Sequence, residues 1–406
     1  MQQIFNLKKH VNIALSFFLA AALLGIFLRL FFVISIPANF RYVVHAHSHV
    51  ALLGWVYLAL LSIIYKMYFL NSEKQKRYLY IFWFTFITLI GMLFTFPFTG
   101  YALFSIIFSS LFLIASYFMA WFVFKNIPQQ FKKTNSYTCI KAALWYLIIS
   151  SIGPWAIGGV MATLGNTSIW YKLSIYFYLH FQYNAWFILA LIGILFFIFE
   201  KFQIEIGRKQ FKSFFLLLNL GLIFSLFLSA LWVENVPVFI YILAGIGGIL
   251  QFAAFIQFFS ILKKAWKRFA VHLSGFIQSI FKILIVFLFI KVGMQLLTAV
   301  PFFANLAALY TDFVIGYLHF TFLGLVSISL FVFLDHFKLL KLPKWVFSIY
   351  FCGFIISEIL IFYKGTAYWL GWSIFDEYFK TLVVISGLMP IAIGILLFLN
   401  LKKIPK

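Results

Sequence analysis

Apolar residues run along the chain in long blocks separated by short polar segments. Between charged residues and Pro, Gly or Asn breaks, twelve blocks emerge: 11–36, 47–69, 77–97, 101–125, 138–163, 171–199, 212–234, 236–260, 276–300, 313–335, 345–363 and 378–401. At about 1.5 Å of rise per helical residue, each is about long enough to cross a hydrocarbon core of ~30 Å. The pattern predicts an all-α polytopic membrane protein of about twelve transmembrane helices, forming a single transmembrane domain over residues 1–406. The first block follows Lys8 and Lys9 but is far longer than the apolar core of a signal peptide, so it reads as a retained span.

Composition sharpens this reading. Hydrophobic residues make up 65% of the chain and charged residues 10%, against about half and a quarter in soluble domains. No water-soluble fold fits, and the lipid bilayer is the expected surrounding. The 58 phenylalanines are spread through every block, as lipid-facing filler would be. Cys139 and Cys352 form no motif and read as small buried hydrophobes, not a disulfide.

The net charge of +22 sits in the breaks between blocks, a poor match to a nucleic-acid-binding face. It does fix an orientation. With the N-terminus inside, 24 of the 31 lysines and arginines fall at the termini and the alternate breaks on the same side. Arg41, Lys172, Lys364 and Lys380 fall on the other side, and Arg29, Lys282 and Lys291 within blocks. By the positive-inside rule both termini are cytoplasmic and the protein is a multi-pass component of the cytoplasmic (inner) membrane. Tyr368, Trp369 and Trp372, between the last two blocks, read as interfacial anchors on the lysine-poor side.

Candidate chemistry gathers on histidine. His10, His272 and His336 lie beside basic residues on the cytoplasmic side and read as solvated surface. His45, His47, His49, His180 and His319 lie near the lysine-poor ends of the second, sixth and tenth blocks, within one or two helical turns of a common depth. Neutral imidazole is a common ligand for haem iron and copper. His45 and His49, four residues apart, share one helix face, and His47 points to nearly the opposite side. The competing reading is interhelical hydrogen bonding.

Twelve spans with cytoplasmic termini and histidines on the second, sixth and tenth resemble the catalytic subunit (subunit I) of the haem–copper oxidase superfamily, which includes terminal oxidases and nitric oxide reductases. The stretch His45-Ala46-His47-Ser48-His49-Val50-Ala51-Leu52-Leu53-Gly54-Trp55 is similar to the H-x-H-x-x-L-L-G-W-V signature of oxidase subunit I-like proteins. The resemblance implies that one of His45, His47 or His49 pairs with His319 on a low-spin haem, and that His180 takes a copper-ligand position; the metal-ligand candidates are thus His49, His319 and His180. The chain departs from the family at two points. Its seventh block contains no histidine, and its tenth reads Tyr317-Leu318-His319-Phe320, with one histidine where the family has two. Copper would then lack two of its three ligands. The chain has no C-x-x-C-H sequence, so the haem expected is haem b.

Among the remaining polar groups, Arg29 is suited to grip a haem propionate or to snorkel to headgroups, at an insertion cost of roughly 2.5–3.5 kcal/mol. Lys291 and Glu358 lie at similar depth and are expected to pair, or Lys291 to serve a propionate. Asn184, Tyr178, Tyr183 and Tyr317 flank the histidines. No chain of carboxylates runs through the blocks, which counts against proton pumping. The expectation is a haem protein with electron-transfer or diatomic-gas chemistry and an incomplete copper site, served by an electron donor or an oxidase-type partner subunit. The alternatives are a working terminal oxidase or nitric oxide reductase, a cation transporter, and a structural membrane subunit.

Overall fold

A computed structural model of the chain describes residues 6–402 except Asn71 and Glu234. Lys403 and Lys406, part of the basic side, and Glu234, the expected end of the seventh span, lie outside the described residues. Twelve helices long and apolar enough to cross a membrane are present among them: α1 Leu7–Leu30, α2 Phe40–Tyr68, α3 Gln75–Thr99, α4 Leu103–Asn126, α5 Asn135–Thr163, α6 Ile169–Lys201, α7 Arg208–Ala230, α8 Val238–Ala270, α9 Gly275–Leu297, α10 Thr311–His336, α11 Lys344–Leu370 and α12 Tyr378–Leu401. The protein is an all-α polytopic membrane protein. The Thr311–His336 stretch is followed by a short loop, and a separate short helix, Pro301–Leu309, precedes it on the lysine-poor side.

Local chemistry sets the ends where hydropathy misplaces them. α2 begins at Phe40, seven residues before its apolar block, because the Asn39 side chain accepts from the Tyr42 amide at 3.3 Å and caps the helix. Thr134 caps α5 in the same way, accepting from the Tyr137 amide at 3.2 Å. At the basic end of α6, the Glu200 carboxylate accepts from the Ser136 amide and hydroxyl at 2.9 and 2.6 Å, tying α6 to the first turn of α5. α8 continues ten residues past its expected end, so Lys263, Lys264, Lys267 and Arg268 ride on a helix and not in a loop.

The chain divides into two compact units. One comprises Met1–Gln129, Ser329–Ala367 and Trp372–Lys406; the other comprises Gln130–Ile328 and Tyr368–Gly371. In the first, α1 packs on α2 and α12, and α3 on α4. Its core includes a stacked pair, Phe18 and Trp55, with centroids 4.7 Å apart, flanked by Phe331 and Tyr350. In the second, α5 packs on α6 and α7 on α8, while α9 meets α10.

Three expectations need correction. Phenylalanine is not only filler: Phe18, Phe82, Phe96 and Phe196 are core residues, although Phe94 and Phe98 do face outward. Cys352 is exposed on α11, so only Cys139 is buried. His10 is buried rather than solvated: its ring stacks on Phe82 at 3.7 Å and its Nδ1 lies 3.1 Å from the Tyr78 hydroxyl.

Close helix contacts depend on glycine at two places. A Cβ on Gly54 would lie 2.7 Å from Cβ of Phe17, fixing the approach of α1 to α2. One on Gly247 would lie 2.2 Å from the backbone nitrogen of Ser225, where α8 meets α7 and no side chain can swing aside. Gly247→Ala is therefore expected to destabilise the detergent-solubilised protein by about 1–3 kcal/mol, read as a lower midpoint of thermal unfolding, while Gly293→Ala, in open space, leaves it nearly unchanged.

Candidate functional site

Three spans differ from the other nine. The apolar stretches of α2, α6 and α10 are 89%, 94% and 72% buried inside the protein, whereas the others are 28–44% buried. These are the three that carry the membrane histidines. Each is also interrupted by a π-helical segment at its histidine: Val50–Tyr57 after His49, His180–Trp186 from His180 itself, and Phe320–Ser327 after His319. π-Helix accounts for well under 1% of residues in ordinary proteins and concentrates at functional positions. The local sequences match as well, with Gly54, Ala185 and Gly324 each five residues after the histidine and Leu58, Leu189 and Ile328 each nine after it. The motif recurs on every fourth span, each time on a helix entering from the lysine-poor side. The Leu-Gly following both His49 and His319 was a readable trace of this in the sequence.

In the first unit, α2 already includes all three histidines of the cluster, so they divide between two faces as the spacing predicts. His47 turns toward α1. Its Nδ1 lies 2.8 Å from the Ala21 carbonyl oxygen; a carbonyl can only accept, so Nδ1 carries the proton. Gly25 makes room for the ring, since a Cβ there would lie 3.1 Å from His47 Cε1. His49 turns toward the end of α3. Its Nδ1–H donates to the His45 carbonyl at 2.8 Å, and its ring stacks on Phe96 at 4.4 Å. With Nδ1 protonated, Nε2 accepts from the Tyr101 hydroxyl at 3.3 Å. Tyr101 reaches this position because Gly100 ends α3 at φ +59°, a backbone conformation that L side chains rarely adopt. His45 shares that face, its ring edge-on to Tyr101 at 4.7 Å.

Arg29, at the lysine-poor end of α1, belongs to the same neighbourhood and interacts electrostatically with His47 and Glu358. His45, His47, His49 and Arg29 are thus gathered in one unit. Nδ1 of both His47 and His49 is fixed to a backbone carbonyl, which sets the tautomer and aims Nε2 away from its own helix. Metal-binding histidines are oriented by this kind of support.

The second unit holds His180 and His319. His180 is fully buried, and both of its ring nitrogens are engaged: Nε2–H donates to the Leu222 carbonyl at 2.8 Å, and Nδ1 accepts from the Asn184 amide at 3.2 Å. Leu222 lies where α7 tightens into the 3-10 turn Ser225–Ala230. Asn184 Oδ1 accepts from the Lys291 ammonium, which also donates to Gln295 Oε1 at 2.9 Å. Lys291 is thus held by two amides of its own unit, while Glu358, in the first unit, interacts electrostatically with Arg29. Tyr317 adds a long contact from its hydroxyl to Asn184 Oδ1 at 3.5 Å. His319 is partly buried at the start of its π segment. Sequence reasoning missed Phe96, Tyr101 and Gln295; no motif marks them, and Tyr101 is delivered by a turn.

Among the described residues, no group of three or more His, Cys, Asp or Glu is gathered tightly enough to hold a metal ion. The chain matches no protein-family model and no curated protein.

The amide cradle makes Lys291 and Asn184 unequal. Asn184→Leu strands an ammonium in a buried site, at a cost of about 3–5 kcal/mol. Lys291→Met removes the charge along with its desolvation penalty and is expected to stay within about 1 kcal/mol of the parent. Thermal unfolding of the two variants in detergent checks the order.

Proposed function

We propose that this chain is a haem-binding membrane protein of the oxidase subunit I type, with haem b beside the second-span histidines and electron-transfer or diatomic-gas chemistry. The observation that carries the reading is the paired orientation of His47 and His49, each with Nδ1–H fixed on a backbone carbonyl, in one of the three most buried spans. Those residues fit the group. His47 is the ligand assigned within this cluster because Arg29, suited to a propionate, interacts electrostatically with it. His319 is the second ligand that the family resemblance implies, and its assignment rests on sequence.

Haem b supplies a one-electron couple and, where an axial position opens, a place for oxygen or nitric oxide. The chain's own contribution is to hold imidazole neutral and oriented, to exclude water, and to present a guanidinium to a carboxylate. Copper has less support: both ring nitrogens of His180 are engaged, and copper usually takes several nitrogen or sulfur ligands. His180 reads instead as the end of a hydrogen-bonding chain through Asn184 to Lys291.

Transport of a cation is the second reading. Transporters of that kind are built on two-fold repeats, many of them inverted, with broken helices at the midplane. The repeat seen here occurs three times, in parallel and on continuous helices, which favours the haem reading. An electron-donor or oxidase-type subunit is the partner this chemistry calls for.

The expected result for protein purified from its native membrane is that His47→Ala and His319→Ala each lower the haem-to-protein ratio at least about tenfold, since loss of an orienting partner alone costs 10–100-fold in affinity. His49→Ala is expected to keep the spectrum. Unchanged haem content in both His47→Ala and His319→Ala would contradict the ligand assignment.

A further inference from the structure

The second unit buries a full positive charge beside neutral groups. Lys291, on α9, is 1% exposed. Its ammonium has three N–H donors, and Asn184 Oδ1 and Gln295 Oε1 take two of them. Both acceptors are uncharged amides. Among the described residues no carboxylate acts on the ammonium, and its third N–H has no acceptor. A charge without a counter-charge in a low-dielectric interior is costly, and the partial charges of two amide oxygens offset only part of that cost. Ionisable groups held this way inside a membrane protein mark binding sites or ion paths.

Gln295 supplies a second idle donor. It lies one turn beyond Lys291 and two residues before the end of α9 at Leu297, on the lysine-poor side, and is 7% exposed. Because Oε1 faces the ammonium at 2.9 Å, the amide nitrogen of Gln295 lies at most about 5 Å from Nζ. That nitrogen enters no hydrogen bond among the described residues. The neighbouring polar groups are already engaged. The Asn184 amide nitrogen is committed to His180 Nδ1 at 3.2 Å, and the Thr298 hydroxyl turns back to the Gln295 backbone carbonyl at 2.7 Å. The Tyr317 hydroxyl points to Asn184 Oδ1 at 3.5 Å.

Two N–H donors without acceptors, one of them carrying a whole charge, thus lie within the span of a single small ion. We propose that Lys291 and Gln295 form a binding site for one monovalent inorganic anion of halide size, reached from the lysine-poor side of the membrane. The site stands independently of the haem reading. One negative charge neutralises the ammonium, whereas a divalent anion leaves the buried site charged with the opposite sign and must shed a tighter hydration shell. A halide has no fixed bonding directions, so two donors on one side of it suffice. The route is short: Lys291 is six residues from the end of α9, roughly 9 Å along a helix.

The test follows thermal unfolding of the detergent-purified protein in gluconate buffer, with chloride, bromide or sulfate added at matched ionic strength. Chloride and bromide are expected to raise the unfolding midpoint of the parent saturably, as a ligand of the folded state does, and sulfate is not. The rise is expected to vanish in Lys291→Met, whose midpoint in gluconate alone stays close to that of the parent. It is expected to vanish also in Gln295→Glu, where a carboxylate takes the place of the anion. Because Gln295→Glu keeps the lysine and brings its own counter-charge, it decides the matter where Lys291→Met does not fold. Lys380→Met, which removes an exposed lysine paired with Glu377, is expected to keep the rise. Equilibrium dialysis against radiolabelled chloride gives a second readout, with one ion per parent chain and none in either site variant. A parent indifferent to chloride, a rise that survives in Gln295→Glu or Lys291→Met, or equal effects of sulfate and chloride overturns the site.

Discussion

Hydrocarbon offers no hydrogen-bonding partner, and every polar group carried into it must be met by the protein itself. That constraint accounts for most of what distinguishes α2, α6 and α10. His47 and His49 each give a proton to a backbone carbonyl, and His180 gives one to the Leu222 carbonyl. Lys291 is met by two amide oxygens, from Asn184 and Gln295, in place of an acid. The polar residues of these spans are thus organised from the backbone outward, and imidazole is the side chain best suited to the task, because one ring nitrogen can anchor while the other serves another purpose. Glu358 differs: neither of its buried carboxylate oxygens has a hydrogen-bond partner among the described residues.

The π segments belong to the same logic. An i→i+5 turn adds a residue to the helix and alters which side chain faces the interior. Its occurrence at the histidine in all three buried spans ties helix geometry to chemistry. The small residue five positions later, Gly54, Ala185 or Gly324, accompanies the distortion each time, and at Gly54 it also admits Phe17 of α1. Among the described residues, the other nine spans, largely lipid-facing, carry neither the histidine nor the π segment in this arrangement.

Much of the fold was legible because hydropathy and charge read the same constraint. Each of the twelve spans overlaps its apolar block, and the boundaries moved where a local cap decided them, as Asn39 did at α2. The face assignments of His45, His47 and His49 followed from helical spacing once the helix included them. Contacts between side chains distant in sequence were not legible. Nothing in the sequence pairs Glu358 with Arg29 in preference to Lys291, or delivers Tyr101 to His49. Nor could spacing show that His180 spends both ring nitrogens on hydrogen bonds; only the position of the Leu222 carbonyl, set by the 3-10 turn in α7, reveals it.

The central claim is that histidines oriented by backbone carbonyls in the most buried spans hold a haem. Its most direct test is the absorption spectrum of the unaltered protein, purified from its native membrane and recorded oxidised and then reduced with dithionite, with the haem quantified as its pyridine derivative. The account predicts a stoichiometric b-type haem whose sharp Soret and α bands appear on reduction. A featureless spectrum, with no haem in the pyridine assay, would contradict it.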